Sequence, residues 1–155
     1  MIRRASVLAS AVVAIVFALV GQAAVAATLR LGVTADALST DPIASSDNPS
    51  IWTQLLLYDQ LVRPSRDGTR LEPGVAESWR VSADGKEYEF KLRANAKFSN
   101  GEPVTAQDVE YSLRRAAGEK SQWGRFFRPI TEYRVVDART IVMRLDTPFT
   151  PMLNN

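Results

Sequence analysis

The sequence predicts an α/β domain in which antiparallel hairpins lie on either side of a helix. Three observations predict it. Trp79 and Val81, then Tyr88, Phe90 and Leu92, alternate about Asp84-Gly85. Tyr133 and Val135, then Ile141, Met143 and Leu145, alternate about Asp137-Ala138-Arg139. Between these pairs Thr105 precedes a helical stretch with Asp108 three residues on, a capping-box spacing in which Asp takes the place of Glu.

From the N-terminus, residues 1–26 read as a cleavable secretory leader. Arg3 and Arg4 form its basic start, and Val7 to Val20 is an apolar run broken only by Ser10. Ala24-Val25-Ala26 supplies small residues at the cleavage positions, so the cut is expected after Ala26, with Ala27 as the alternative. The competing reading is a membrane anchor, since Ala5 to Leu29 carries no charge. At about 1.5 Å per residue, however, the strongly apolar part extends roughly 21 Å, short of a bilayer core of about 30 Å. Cleavage is therefore favoured. Ser6 and Val7 fit a twin-arginine motif poorly, which leaves the general secretory route.

Next, Thr28 to Thr34 alternates, with Leu29, Leu31 and Val33 on one face, and reads as a first strand. Leu38-Ser39-Thr40-Asp41-Pro42 breaks it. Asn48-Pro49 then opens a helix, Asn48 as cap and Pro49 at the first helical position. Ile51, Trp52, Leu55, Leu56 and Tyr58 give that helix a broad apolar face, with Trp52 expected in the core, and it is expected to end near Leu61-Val62. In the two hairpins Gly85 supplies a positive φ for the first turn. Gly74 and Gly101 sit where turns need them, and Pro103 ends an extended run before the capped helix. On that helix Ala106, Val109, Leu113 and Ala116 share a face, while Glu110 and Arg114 form an exposed pair four residues apart. Trp79, Tyr88, Phe90 and Phe98 are expected core residues.

Composition removes several kinds of chemistry. The 155 residues include neither cysteine nor histidine, which excludes disulfides, thiol nucleophiles, histidine triads and Cys/His metal sites. A lipid-modified N-terminal cysteine is excluded as well. The formal charge is +2, from 19 basic and 17 acidic side chains, and setting Arg3 and Arg4 aside leaves 17 against 17. A neutral body has no general attraction for a phosphate backbone or an anionic membrane, so nucleic-acid binding is not expected.

Four stretches, in this order, carry a family resemblance. The first is Leu38-Ser39-Thr40-Asp41-Pro42, and the second is Tyr58-Asp59-Gln60-Leu61-Val62-Arg63. The third runs from Leu71-Glu72-Pro73-Gly74-Val75-Ala76-Glu77-Ser78-Trp79 through Ala83-Asp84-Gly85-Lys86 to Tyr88-Glu89-Phe90-Lys91-Leu92-Arg93. The fourth is Lys97-Phe98-Ser99-Asn100-Gly101-Glu102-Pro103-Val104-Thr105-Ala106-Gln107-Asp108-Val109, continuing to Tyr111-Ser112-Leu113. Together they resemble family 5 of the bacterial solute-binding proteins, extracytoplasmic receptors for dipeptides, oligopeptides, nickel chelates and some sugars. The resemblance covers essentially all of residues 28–155. One departure is Ala94-Asn95-Ala96, where many members have a glycine turn.

The resemblance implies a periplasmic-binding-protein-like fold of type II, two-lobed in the full family. This chain would hold only the start of lobe one plus its extra α+β subdomain. Residues 27–44 would be the first strand and following loop of lobe one, and residues 45–155 the small α/β subdomain, truncated at its C-terminal end. Members are several times longer, so a fragment or a truncated gene product is expected. The resemblance further implies capture of a peptide or related small solute in the periplasm, for an inner-membrane ABC permease and its ATPase. The receptor would be a monomer, without a cofactor and without enzymatic activity.

By the same resemblance Asp36 and Ala37 face the ligand, and this stretch can pair with an extended peptide's backbone. An acid at Asp36 would meet an ammonium group in a charge-assisted bond; a solvated loop aspartate is the alternative. Trp123, in the loop after the capped helix, would reach over the cleft and cover a ligand with a rigid ring. The alternative is that Trp123 packs the subdomain, as is expected for Phe126 and Phe127. Arg125 and Arg128 read as a solvated face, and Glu87 and Glu89 as exposed partners within a hairpin rather than an acid/base pair. A stand-alone subdomain or non-transporting remnant, and a carboxylate-based hydrolase, are the competing functions; nothing pairs two acids in a pocket for the latter.

Overall fold

The strand Glu87–Leu92 organises the domain because both of its edges are paired and one of its faces is wholly apolar. The computed structural model describes residues 32–33 and 35–153. From Val33 onward the chain forms one compact unit. In chain order the elements are α1 (Asn48–Leu57), β1 (Val62–Pro64), β2 (Leu71–Pro73), β3 (Ala76–Val81), β4 (Glu87–Leu92), α2 (Ala106–Ala117), α3 (Gly124–Phe127), β5 (Ile130–Asp137) and β6 (Thr140–Leu145), followed by a 3-10 turn at Thr150–Leu153. The two expected hairpins join through β4 and β6 into one antiparallel sheet of order β3-β4-β6-β5.

Register follows the alternation. Trp79 lies opposite Phe90 and Val81 opposite Tyr88. Phe90 in turn faces Ile141 and Tyr88 faces Met143, while Tyr133 and Val135 face Met143 and Ile141 from the other side. A one-residue slip would turn every one of these side chains to the other face, so the apolar pattern selects the pairing. Phe90, Leu92 and Ile141 are fully buried. Burying a side chain of that size contributes roughly 1.5–3 kcal/mol.

Helix α2 covers this face, burying Ala106 and Val109 against β5 and β6. Its capping box forms as the spacing predicts, with Thr105 and Asp108 each accepting from the other's backbone N–H. Glu110 and Arg114 form the expected pair at 2.8 Å. From the C-terminal side Met152 adds to the core, and the Tyr88 hydroxyl donates to the Phe149 carbonyl at 3.2 Å. The opposite face of the sheet places unlike charges side by side, with Arg144 between Glu87 and Glu132 and Arg80 beside Glu89.

Gly74 marks the tightest approach in the fold. Val75 and Ala76 donate to the carbonyls of Gln60 and Leu61. A Cβ on Gly74 would sit 2.1 Å from the Gln60 carbonyl oxygen, a backbone atom that cannot swing away. Gly85 and Gly101 have φ of +68° and +92°, as their turns require. At Ala94-Asn95-Ala96 the turn closes through Ala96 N–H to the Arg93 carbonyl at 3.2 Å. No described residue other than glycine has positive φ, so this turn manages without a glycine.

Several expectations are corrected. Asp47, not Asn48, caps α1, accepting from the Ser50 amide, and Pro49 is the second helical residue. The helix ends at Leu57 rather than near Leu61-Val62, where the chain turns into β1. That strand and β2 form a third hairpin, absent from the sequence reading. Its turn is held by Asp67, whose carboxyl is lowered to about 2, first by the Ser65 hydroxyl and then by Thr69. Phe98 is 45% exposed, on a loop that folds back on itself through the Lys97–Pro103 bridge. Glu87 and Glu89 are half-buried rather than exposed, since β3 and β6 flank them. The leader lies outside the described residues, as does the expected strand Thr28–Thr34 apart from Gly32 and Val33.

Replacing Gly74 by alanine is expected to destabilise the domain by about 1–3 kcal/mol through steric overlap with backbone. Equilibrium urea unfolding measures it, and an unchanged midpoint would contradict the close approach.

Candidate functional site

Residues 38–47 form no strand or helix, yet several polar groups of this loop are matched by partners from outside it. Helix α1 supplies much of the matching. Ser50 and Gln54, four residues apart, share one face of the helix. The Ser50 hydroxyl accepts the N–H groups of Leu38 and Ser39 at 2.9 and 3.2 Å. The Gln54 amide donates to the carbonyls of Ser39 and Asp41 and to the Ser45 hydroxyl, at 3.2, 3.1 and 3.3 Å. Both side chains are buried.

This arrangement reverses the expected orientation of the helix. With Ser50 and Gln54 turned inward, Trp52, Leu55 and Leu56 point the other way and are 54%, 52% and 83% exposed. Trp52 is therefore not a core residue among the described residues. The loop's backbone demands hydrogen-bond partners, which apolar side chains cannot supply.

The segment after α2 grips the loop from its other side. Arg115 pairs with both carboxylate oxygens of Asp41 in a two-pronged ion pair. The Gln122 N–H donates to the Ile43 carbonyl at 2.9 Å. The Trp123 indole Nε1–H donates to the Ser45 carbonyl at 3.2 Å. Trp123 is half-buried, with its ring 6.0 Å from that of Phe126, over which the exposed Arg125 guanidinium lies. Phe126 and Phe127 are half-buried on the short helix α3.

Of the three residues singled out from sequence, Trp123 is thus tied directly to this loop. Ala37 is half-buried just before the Leu38 amide held by Ser50, and Asp36 is exposed at the loop's start. Gln54, Ser50 and Arg115 escaped the sequence reading. A signal existed for two of them: Ser50 and Gln54 are polar residues one turn apart in a helix that is otherwise mostly apolar. A separate open concavity of about 500 Å³ lies between the β1–β2 hairpin and Leu153, and none of Asp36, Ala37 or Trp123 lines it. Among the described residues no cluster of three acidic side chains gathers that could hold a metal ion.

Residues 70–155 match the family described as bacterial extracellular solute-binding proteins, family 5. The chain belongs to that family. It is 34% identical over 129 residues to the probable D,D-dipeptide-binding periplasmic protein DdpA of Escherichia coli K12, which covers 81% of this chain and 25% of that protein. Among solved structures, the murein tripeptide binding protein MppA of Escherichia coli superposes with a TM-score of 0.71 at 30% identity, covering 79% of this chain and 27% of that one. Haemophilus influenzae OppA in complex with the peptide RPPGFSPFR gives 0.71 at 27% identity, covering 77% and 27%. The fold is therefore the periplasmic-binding-protein-like one, in part: the chain spans about a quarter of the length of the relatives it matches. These three relatives are named as periplasmic binding proteins. No helix among the described residues is long and apolar enough to cross a membrane.

The Arg115 side chain, and next the Ile43 amide, hold the Asp41 carboxyl below its ordinary value of 3.8. A carboxyl depressed in the folded state adds stability that is complete above 3.8 and lost as pH falls through the folded value. Replacing Arg115 by glutamine is expected to move the Asp41 titration, followed by carbon NMR, upward towards 3.8. An unmoved titration would show that the pair does not form in solution.

Proposed function

We propose that this chain is part of the substrate-binding component of an ABC importer, which captures a peptide or related small solute in the periplasm. Membership of family 5 carries the reading. The geometry supports it, since the two segments expected to meet a ligand are both tied to one hydrogen-bonded loop. Asp36 offers a carboxylate to a ligand's ammonium group, Ala37 offers backbone to an extended peptide, and Trp123 covers the bound solute with a ring fixed through Ser45.

The work is selective binding and a shift between open and closed lobes, with no bond made or broken. The closed receptor, a monomer, presents its solute to an inner-membrane permease and the ATPase that drives it. Residues 27–44 begin lobe one and residues 45–155 form its subdomain. The leader 1–26 delivers the protein through the inner membrane and is removed.

A calorimetric screen of peptides and nickel chelates against protein isolated from its host tests the reading. Asp36→Asn is expected to weaken binding of a peptide with a free N-terminus about ten-fold and to leave an N-acetylated peptide unaffected. Trp123→Ala is expected to weaken both about 30-fold. Equal affinities in all three proteins would remove these residues from the site, and no binding by any solute would remove the transport reading. In the same preparation N-terminal sequencing is expected to begin at Ala27; a retained Met1 would contradict leader removal.

A further inference from the structure

Gln54 stands out because one buried amide serves three acceptors. Its Nε2 lies 3.2 Å from the Ser39 carbonyl, 3.1 Å from the Asp41 carbonyl and 3.3 Å from the Ser45 hydroxyl. An amide has two hydrogens, so the three acceptors share them. Ser45 itself is buried, and its carbonyl receives the Trp123 indole N–H at 3.2 Å. On the other side Ser39 follows directly on Leu38, and both of their amides reach Ser50 one turn earlier on the same helix.

We propose that Gln54 is the positioning residue that holds the Asp36–Ser39 segment and Trp123 in one fixed relation, so that a solute meets both as a single preformed surface. The proposal rests on the reading that Asp36, Ala37 and Trp123 contact the solute. Gln54 itself need not touch it. A buried amide is unfavourable unless it is hydrogen-bonded, and an apolar residue would suit a merely structural helix face equally well. The three bonds together explain a glutamine here: they span both flanks of the loop, from Ser39 to Ser45. Preorganisation of this kind reduces the ordering that binding would otherwise require.

The test uses protein isolated from its host, with Gln54→Met as an apolar replacement of similar length. Expected first is amide exchange about ten-fold faster at Leu38 and Ser39, the scale of one net hydrogen bond. The Trp123 indole N–H resonance should shift as well, while exchange at Phe90 and Met143 in the sheet stays unchanged. The affinity for a bound peptide should fall by a similar factor.

A second variant, Gln54→Glu, adds a signature that packing alone would not produce. At neutral pH the introduced carboxylate has no donor for the Ser39 and Asp41 carbonyls, so the loop loosens. On acidification the carboxyl gains a proton to donate, and the Trp123 resonance returns part of the way. The charged groups near this position are Asp41, Arg115 and Asp47. Hydrogen bonds from Arg115 and from the Ser50 amide, respectively, hold the Asp41 and Asp47 carboxyls below their ordinary value.

Unchanged loop exchange and an unmoved Trp123 signal in Gln54→Met would overturn the proposal. So would a loss of peptide affinity with both signals unmoved. If Gln54→Met loses the sheet protection, the return of the Trp123 signal with acid in Gln54→Glu decides, and its absence counts against the proposal. If the unaltered protein binds no peptide, the functional reading fails, and the loop signals alone still decide whether Gln54 couples the two segments.

Discussion

The side chains of Ser50 and Gln54 serve a stretch of backbone that no strand or helix serves. Peptide N–H and C=O groups shielded from water need partners, and between Leu38 and Ser45 many of those partners are side chains. Much else follows from this constraint. It turns the polar side of α1 inward. It brings Asp41 within reach of Arg115 on α2 and Ser45 within reach of Trp123. The loop is thereby held between two helical segments that are distant in sequence, and the four-stranded sheet stands behind one of them through α2.

The sheet plays a different part. Its apolar face, centred on Phe90 and Ile141, provides the burial that keeps α2 in place. Because α2 carries Arg115 near its end and Trp123 follows it by a short turn, the order of the loop depends on the packing of α2 against the core. Hydrophobic burial fixes the helix, and the helix delivers polar partners to the loop. The Thr105–Asp108 capping box sets where that helix begins, and so how far along its length Arg115 projects.

Much of this was legible in the sequence where one local rule decides the outcome. Period-two alternation around Asp84-Gly85 and Asp137-Ala138-Arg139 gave both hairpins with their facing residues, and the Thr105–Asp108 spacing gave the start of α2. What escaped depends on non-local demand. Strands of three residues, one ending in Pro64 and the other in Pro73, are too short to show alternation. Asp47 and Asn48 are both good capping residues, and only the geometry chooses between them. Trp52 reads as core because large apolar residues usually are; that α1 faces inward with its polar side follows from a loop whose needs no periodicity reveals. Trp123 was singled out through family resemblance, whereas the glutamine and serine that hold the loop beside it carry no motif.

The outward side of α1 has a consequence for how the chain behaves in a tube. Trp52, Leu55 and Leu56 form an apolar stripe facing solvent among the described residues, on a chain whose acidic and basic side chains nearly cancel. Little long-range repulsion keeps two such stripes apart. The stripe lies on a helix whose Ser50 and Gln54 are engaged with its own loop. Detergent micelles or hydrophobic resins would compete for that stripe, and dilution, rather than added salt, is the condition that keeps the chain singly dispersed.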